Sequence, residues 1–384
     1  MSAVAGDSER TSDDVRHDAL GSDWPRPSAG RRAWPRLPAS RRAIGLLVLA
    51  LVCVVLAGVA AAVGATRIPL ADVLSVALAP LSGSAGGIDS QHAMVLEQIR
   101  FPRVLLCVIV GASLGVAGAA MQGLFRNPLA DPALIGASSG AALFVAMTIV
   151  LGNQWMPGFT RVLGPYALPA AAFVGCVAAT WMVKRLATSA QGVSVGAMLL
   201  GGVAINALCE AAISALTFAA SDEQLRNYTF WRMGTLAGAS WKMGLLSAGC
   251  ALVGMVLLLR RARALNVLTM GEEAARHAGV DVTRLSRVVV IAAALLVGAS
   301  VASAGLVWFV GLVAPHGVRL LGGSDHRWVM PAAGLAGASL ALAADAVSRI
   351  AVTPAELPLG VPLAVIGTPM FVALLMRARQ QGRL

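Results

Sequence analysis

The stretch IRFPRVLLCVIVGASLGVAGAAMQGLFRNPLADPALIGASSGA, residues Ile99–Ala141, decides the fold of this chain. Two apolar, glycine-rich segments flank a short polar loop, Arg126–Pro132. In lipid every backbone N–H and C=O group needs a partner within the protein, so apolar segments of this length must be helices. Two membrane helices joined by a tight polar turn favour a gated pathway over a passive anchor.

Composition places the whole chain in the membrane class. Hydrophobic residues make up 57% and charged residues 13% of it, and its mean hydropathy is +0.76. A soluble domain carries about 25% charged residues. A membrane span needs about 20 mostly apolar residues. We identify ten such segments: 43–65, 102–123, 134–152, 165–183, 193–218, 236–259, 286–304, 306–321, 329–348 and 358–376.

The seventh and eighth segments are the hardest to separate. Residues 288–318 contain no Asp, Glu, Lys or Arg, which is too long for one span and tight for two. We place the break at Ala304–Gly305. The predicted fold is therefore an all-α polytopic membrane protein with about ten transmembrane helices.

Charge predicts the orientation of these helices. With both termini in the cytoplasm, 22 of the 30 Lys and Arg residues lie inside, as the positive-inside rule favours. The net charge of +11 then reflects topology and contact with anionic lipid, and nucleic-acid binding is not expected. Residues 1–42 are predicted to be a disordered cytoplasmic tail, and residues 43–384 the membrane domain.

Two similar nine-residue sequences indicate an internal repeat. VGASLGVAG at Val110–Gly118 lies in the second predicted span, and VGASVASAG at Val297–Gly305 lies in the seventh. The two spans run in opposite directions, which is typical of the inverted repeats of transporters. Small residues also recur wherever membrane helices pack closely, and this alternative stays open.

The opening block resembles, nearly residue for residue, the FecCD-type permease subunits of ABC importers for iron-siderophores, haem and cobalamin. The resemblance extends over roughly Ala43–Met376. It implies a bacterial inner-membrane permease that works by alternating access, as a homodimer, with a pair of ABC ATPase subunits and a periplasmic substrate-binding protein.

The chain lacks the phosphate-binding loop through which ABC ATPases bind ATP. It lacks a G-x-x-x-x-G-K-[ST] loop, and its only lysines, Lys184 and Lys242, follow no glycine-rich loop. We therefore expect a transport subunit that is not an enzyme and binds no cofactor, with ATP and Mg held by the partner ATPase.

The segment LTMGEEAARHAGVDVTRL, Leu268–Leu285, is the candidate contact with that ATPase. Two acidic residues in the first turn suit the positive end of a short helix, and flanking glycines delimit it. The resemblance implies that it is the coupling helix; an ordinary amphipathic surface turn is the alternative. The candidate coupling residues are Gly271, Glu272, Glu273, Ala274, Ala275, Arg276, His277, Ala278 and Gly279.

The resemblance also assigns docking and gate residues. Arg100, Arg103 and Arg349 match arginines that pair with glutamates of the binding protein, a task that suits the planar guanidinium fork. Arginines at span ends also snorkel to the interface without such a role. The loop Arg126–Pro132 and the region around Ser194 match the cytoplasmic gates, with Asn127, Leu129 and Ser194 as candidates.

Two residues depart from the family pattern. Glu210 lies inside the fifth span, where it either lines the pathway or pairs with a polar neighbour. Trp308 stands where the family has a small residue, so it reshapes the cavity mouth or its seal. No spacing of His, Cys, Asp or Glu predicts a metal site, and the five cysteines are interpreted as packing residues in the spans.

The segment SDEQLRNYTFWRMGTLAGASW, Ser221–Trp241, is most similar to the haem-permease branch, so haem is favoured over a ferric siderophore or cobalamin. No pattern of axial ligands demands haem. A secondary transporter driven by an ion gradient is the alternative from another class. Glu210 and the repeat fit it, but it would not need the coupling segment.

Overall fold

The computed structural model describes residues 38–64, 66–82, 89–189, 192–193, 195–352 and 355–380. The predicted tail therefore falls outside the described residues up to residue 37. Residues 37–384 form one unit of the chain. The first helix begins at Ala39, so the domain start predicted at residue 43 lies inside this helix.

The described part of the chain is almost entirely helical. Its sixteen α-helices are α1 Ala39–Ala62, α2 Leu70–Ser82, α3 Ser90–Val95, α4 Phe101–Leu124, α5 Ala137–Trp155, α6 Pro157–Leu163, α7 Ala167–Leu186, α8 Val195–Phe218, α9 Asp222–Arg232, α10 Trp241–Leu259, α11 Ala262–Leu268, α12 Glu272–His277, α13 Val282–Ala304, α14 Val310–Gly322, α15 His326–Ile350 and α16 Gly360–Gln380. A short antiparallel pair, β1 Thr188–Ser189 and β2 Gly192–Val193, precedes α8.

Within the part of the chain that the structure describes, seven helical segments are long and apolar enough to cross a membrane. They are Ser40–Ala62, Ser90–Leu124, Pro157–Leu186, Gly196–Phe218, Trp241–Leu259, Val282–Ala304 and His326–Ile350. Shorter apolar helices occupy Leu70–Ala79, Ala137–Gly152 and Gly360–Ala373. The predicted all-α polytopic fold is thus confirmed, and the predicted third and tenth spans correspond to α5 and α16.

The eighth predicted span, 306–321, differs from the structure. Helix α13 ends at Ala304 with Gly305 as its C-cap, as predicted, but the chain stays non-helical until Val310. The 13 residues of α14 span only about 20 Å, whereas the hydrocarbon core is about 30 Å thick. The uncharged run was too short for two full spans, and the second helix is the one that is shortened.

Helix α4 lies at the centre of the bundle, packed against α10, α13, α14 and α15. In the most apolar 18-residue stretch of Ser90–Leu124, 72% is buried inside the protein. In the corresponding stretch of Ser40–Ala62, at the periphery, only 11% is buried. A π-helical turn, Leu96–Arg100, joins α3 to α4 and makes the helix continuous. The fold is thus built around α4.

Helices α4 and α15 touch through their backbones. A Cβ atom on Gly111 would lie 2.4 Å from the carbonyl oxygen of Gly337, and one on Gly115 would lie 2.1 Å from that of Ala333. No side chain fits these gaps. Such small-residue contacts replace the hydrophobic effect as the driving force for packing in lipid, where tails are as apolar as the side chains.

The two copies of the echoed sequence lie in α4 and α13, which pack against each other. Helix α4 ends beside the start of α15, because a Cβ on Gly123 would contact the His326 ring. Helix α13 begins beside α12 and α11, and α11 contacts that same end of α4 and α15. The helices are therefore antiparallel, as an inverted repeat requires.

A polar network ties α1, α11 and α15 together at the predicted inner face. Asp325 caps α15 and pairs with Arg42 of α1 at 2.9 Å. Asn266 of α11 donates to Asp325 at 2.7 Å and accepts the His326 N–H at 2.8 Å. Burial raises the pKa of Asp325, but hydrogen bonds from Arg327, Asn266 and Arg42 outweigh it and hold this pKa well below its usual range. The carboxylate therefore stays ionised and holds the network.

We expect Gly111→Ala to lower the thermal stability of the protein in detergent, at a cost of about 1–3 kcal/mol, because the new methyl group forces the backbones of α4 and α15 apart. Gly249→Ala on α10 is the matched control, since a Cβ there meets nothing within 4 Å. The control should unfold at or above the wild-type temperature, given the better helix propensity of Ala. Equal melting temperatures for the two variants would contradict the close packing.

Candidate functional site

The predicted coupling segment forms a short helix at the predicted inner face. Helix α12 runs from Glu272 to His277, with Gly271 at its N-cap at φ 121°. At its end Gly279 adopts φ +80°, and the Val280 N–H donates to the Ala275 carbonyl at 2.9 Å. This bonding ends the helix at its predicted boundary.

Helix α12 is anchored by one residue and otherwise open to solvent. Ala275 is fully buried. Six of the candidate coupling residues are exposed: Glu273, Ala274, Arg276, His277, Ala278 and Gly279. The arrangement presents acidic groups at the N-terminal end of the helix and basic groups at its C-terminal end, on a face that is free to bind a partner.

The loop Arg126–Pro132 is a rigid turn. Arg126 adopts the left-handed conformation at φ 53°. The Asn127 side chain accepts the Leu129 N–H at 2.9 Å, and the Asp131 side chain accepts the Ala133 N–H at 2.8 Å. Asn127 is exposed and Leu129 is half-buried. Both gate candidates therefore lie on a preformed loop, and their gating role stays a prediction. The third, Ser194, lies outside the described residues.

This loop and α12 meet through one ion pair. Arg126 Nη2 lies 3.7 Å from Glu272 Oε1, with side-chain exposures of 41% and 33%. A pair this exposed contributes little stability. It does show that the coupling candidate and the gate candidate lie next to each other. Sequence reasoning named both segments but had no signal for their contact.

The three arginines predicted to dock a binding protein lie together at the opposite, predicted outer face, and all three are buried. Arg349 Nη1 and Nη2 donate to the carbonyls of Val63 at 2.8 Å and Ala60 at 2.6 Å. Arg100 donates to the carbonyls of Ala61 and Ala62, the latter at 2.7 Å. The last carbonyls of α1 have no helical partners, so these two guanidinium groups cap the helix.

Arg103 completes the cluster. Its Nε donates to Asp345 at 2.9 Å and its Nη1 to Glu356 at 3.0 Å. Asp345 is 1% exposed and also pairs with Arg349 at 3.0 Å, so it holds two of the three arginines from within the bundle. Among the described contacts, the arginines thus bond within the chain. Their docking role stays a prediction, one that requires a binding-protein carboxylate to compete with Glu356, whose side chain is 42% exposed.

Glu210 has a partner that the sequence did not reveal. Its two carboxylate oxygens lie 3.2 and 3.3 Å from Nη2 of Arg232 on α9. The side chains are 47% and 39% exposed. Glu210 thus has the polar neighbour that one interpretation required, and its place on the transport pathway stays a prediction.

Helix α9 was not predicted, although its signal is present. Ser221 and Gln224 form a capping box, in which each side chain binds the other residue's backbone N–H, and Asp222 and Glu223 fill the first turn. Gln224 Nε2 also donates to the carbonyls of Ile149 and Val150 at the end of α5. The pattern S-x-x-Q after an apolar run would have located it.

The end of α9 is fixed by tight backbone contacts with α13 and α16. Thr235 N–H donates to the Ala304 carbonyl at 2.8 Å, and Gly360 N–H to that of Met233 at 3.0 Å. Gly305 adopts φ +70°, and a Cβ there would lie 2.3 Å from the Trp231 carbonyl oxygen. This junction, which follows Arg232 in the chain, sets where that side chain emerges.

A cleft of about 340 Å³ opens beside the junction. Its lining residues are Thr229, Arg232, Met233, Trp308, Gly360 and Val361. Trp308 is 42% exposed. The next residue, Phe309, adopts a left-handed φ of 67° at the N-cap of α14. Trp308 and, through Arg232, Glu210 are thus brought to one place on the predicted outer face.

Metal-binding chemistry finds no support in the described residues. No group of three or more His, Cys, Asp or Glu among them is placed to hold a metal ion. Four of the five cysteines are buried, and Cys250 is partly buried.

Comparison with known proteins gives a consistent result. The sequence profile of the FecCD transport family matches residues 48–377. The chain is 44% identical over 283 residues to the hemin transport system permease protein HmuU of Yersinia pestis, which covers 74% of this chain and 83% of that protein. It is 39% identical over 284 residues to the vitamin B12 import system permease protein BtuC of Escherichia coli, which covers 74% and 84%.

A solved structure agrees with the fold. A metal-chelate type ABC transporter in an inward-facing conformation superimposes with a TM-score of 0.74 at 29% sequence identity. The match covers 86% of this chain and 98% of the other. The similarity therefore extends through the whole membrane-embedded bundle.

We expect Arg349→Met to destabilise the protein by about 2–5 kcal/mol, because it leaves carbonyls of α1 without donors and Asp345 with one counter-ion fewer. Arg67→Met is the control, since Arg67 is exposed on the loop that follows α1. Thermal unfolding in detergent measures both. An unchanged melting temperature for Arg349→Met would contradict the structural role of this arginine at the end of α1.

Proposed function

Because this chain belongs to the FecCD transport family, whose members are permease subunits of ABC importers, we propose that it takes up haem delivered by a periplasmic binding protein. Family membership alone shows that the chain is a multi-pass permease, a subunit type that lacks its own ATPase site. An ion-driven secondary transporter is set aside by the same membership.

The choice of haem rests chiefly on the relative HmuU, a hemin permease that is 44% identical to this chain. BtuC, a vitamin B12 permease, is 39% identical, so cobalamin is the nearest competitor, followed by a ferric siderophore. The segment Ser221–Trp241 adds support, because it builds α9 and the junction that shapes the cleft. The cleft combines apolar and aromatic walls with one cation, which suits a flat apolar molecule bearing carboxylates.

We further propose that α12 couples this chain to an ABC ATPase pair, which binds ATP and Mg. Its exposed face gives the partner a rigid surface to hold. The pair between Glu272 and Arg126 then carries a displacement of α12 to the loop that holds Asn127 and Leu129. This chain binds no cofactor in the proposed mechanism.

The assembly that we propose is a homodimer in the bacterial inner membrane, with both termini cytoplasmic. The basic residues concentrate at the face that carries α12, as that orientation requires. A second copy closes the cleft, which is open on one side in the single chain. The binding protein docks at the opposite face, near Arg100, Arg103 and Arg349.

Uptake into vesicles tests the substrate. The permease, reconstituted with its cognate ATPase, should accumulate haem from a haem-loaded binding protein in an ATP-dependent way. Cyanocobalamin and a ferric hydroxamate, offered with the same components, should not be accumulated. A complex whose ATPase carries a Walker-lysine substitution is the control. ATP-dependent accumulation of cobalamin or of the ferric chelate in place of haem would refute the haem proposal.

Coupling is tested with a charge swap. Arg126→Glu should lower haem transport per ATP hydrolysed, because two carboxylates repel where an ion pair stood, and the double variant Arg126→Glu/Glu272→Arg should restore part of it. Arg284→Glu, at the start of α13 near the same face, is the control and should leave the ratio unchanged. Failure of the swap to restore transport, with both proteins equally stable, would remove the proposed link.

A further inference from the structure

Arg232 differs in its surroundings from the three arginines that are buried at the predicted outer face. Arg100, Arg103 and Arg349 are at most 7% exposed and bond to backbone carbonyls or buried carboxylates. Arg232 has a side chain that is 39% exposed and borders the cleft with Trp308 and Met233. It is the cation of this face that meets both a carboxylate and an open, apolar surface.

The pair that Arg232 forms with Glu210 is incomplete as a carboxylate clamp. Both Glu210 oxygens contact the same nitrogen, Nη2, at 3.2 and 3.3 Å. A bidentate clamp uses two nitrogens of the guanidinium, each at about 2.7–2.9 Å. The Glu210 carboxylate therefore neutralises the cation without using its fork, and a second carboxylate can replace it at no loss of geometry.

The other residues of the cleft favour one kind of molecule as the carrier of such a carboxylate. Met233, Trp308 and Val361 are partly exposed apolar side chains, between 38% and 42% accessible. An exposed indole offers a flat face on which a conjugated ring stacks. A hydroxamate siderophore presents polar oxygens, and cobalamin presents neutral amides. A planar apolar ring with carboxylate arms matches both the apolar side chains of the cleft and its arginine.

We infer that Arg232 recognises a carboxylate of the substrate, the propionate of haem, in the cleft beside Trp308, and that Glu210 is its counter-ion while the cleft is empty. This inference rests on the proposed haem function and extends it to a specificity residue. The backbone junction at Gly305 and Gly360 holds Arg232 in place, so no rearrangement of α9 is needed for binding.

Binding to the purified permease in nanodiscs of zwitterionic lipid tests this assignment. The probes are ferric haem and its dimethyl ester, which keeps the ring and loses both carboxylate charges. Soret absorbance gives the dissociation constants, with protein-free nanodiscs as the blank. Wild type should bind haem about five- to tenfold more tightly than the ester, and Arg232→Gln should abolish the difference.

Glu210→Gln makes the test sharper, because the two variants are expected to act in opposite directions. Removing the competing counter-ion should tighten haem binding severalfold, while removing Arg232 weakens it. If the pair were only structural, both variants would weaken binding together. Arg226→Gln, an exposed arginine on the same helix, is the control and should match wild type.

The binding protein provides the rival source of a carboxylate. If Arg232→Gln weakens the association of the empty binding protein and leaves haem binding unchanged, Arg232 is a docking residue and the inference is wrong. If wild type transports haem and Arg232→Gln binds it as tightly as wild type, only this inference fails. If wild type transports another chelate and not haem, the proposed function fails and the inference falls with it.

Discussion

The contact on which the structure depends is the backbone-to-backbone approach of α4 and α15. In lipid, helices gain nothing from hiding apolar side chains, so their association rests on close van der Waals contact. Gly111 and Gly115 allow that contact with Gly337 and Ala333. At the predicted outer end, Arg103 of α4 pairs with the buried Asp345 of α15, and at the other end the His326 ring of α15 packs against Gly123 of α4. The remaining helices pack around this fixed unit.

The charged residues fall into two groups: buried ones that stabilise the fold, and half-exposed ones whose ion pairs can be broken at little cost. Asp345, Arg103 and Arg349 are buried, bonded to several partners, and satisfy groups that lipid cannot solvate. Arg126 with Glu272, and Arg232 with Glu210, are single, half-exposed pairs. Breaking a buried pair costs several kcal/mol, whereas an exposed pair costs little. Only pairs of the second kind can open and close during a transport cycle without destabilising the fold.

The sequence predicted those features that depend on local chemistry. Apolar length predicted the long helices, and Gly271 and Gly279 predicted the ends of α12. The predicted length of the eighth span was wrong, because a run without charges does not show where the helix begins. In the structure α14 begins only after Phe309, which has a left-handed backbone conformation. Partners distant in sequence were also out of reach. Nothing local to Glu210 points to Arg232, and nothing local to Arg349 points to the end of α1.

Helix α9 has a mechanical consequence that follows from its two attachments. Its first turn is held to the end of α5 through Gln224, and its last residues are held to α13 and α16 through backbone bonds at Thr235 and Met233. A short rigid rod tied at both ends behaves as a strut. When α5 moves relative to α13 and α16, the strut must pivot about its fixed end beside the cleft, and the direction from which Arg232 meets the cleft changes with it. The orientation of this arginine is therefore set in part by α5, a helix that supplies none of the residues lining the cleft.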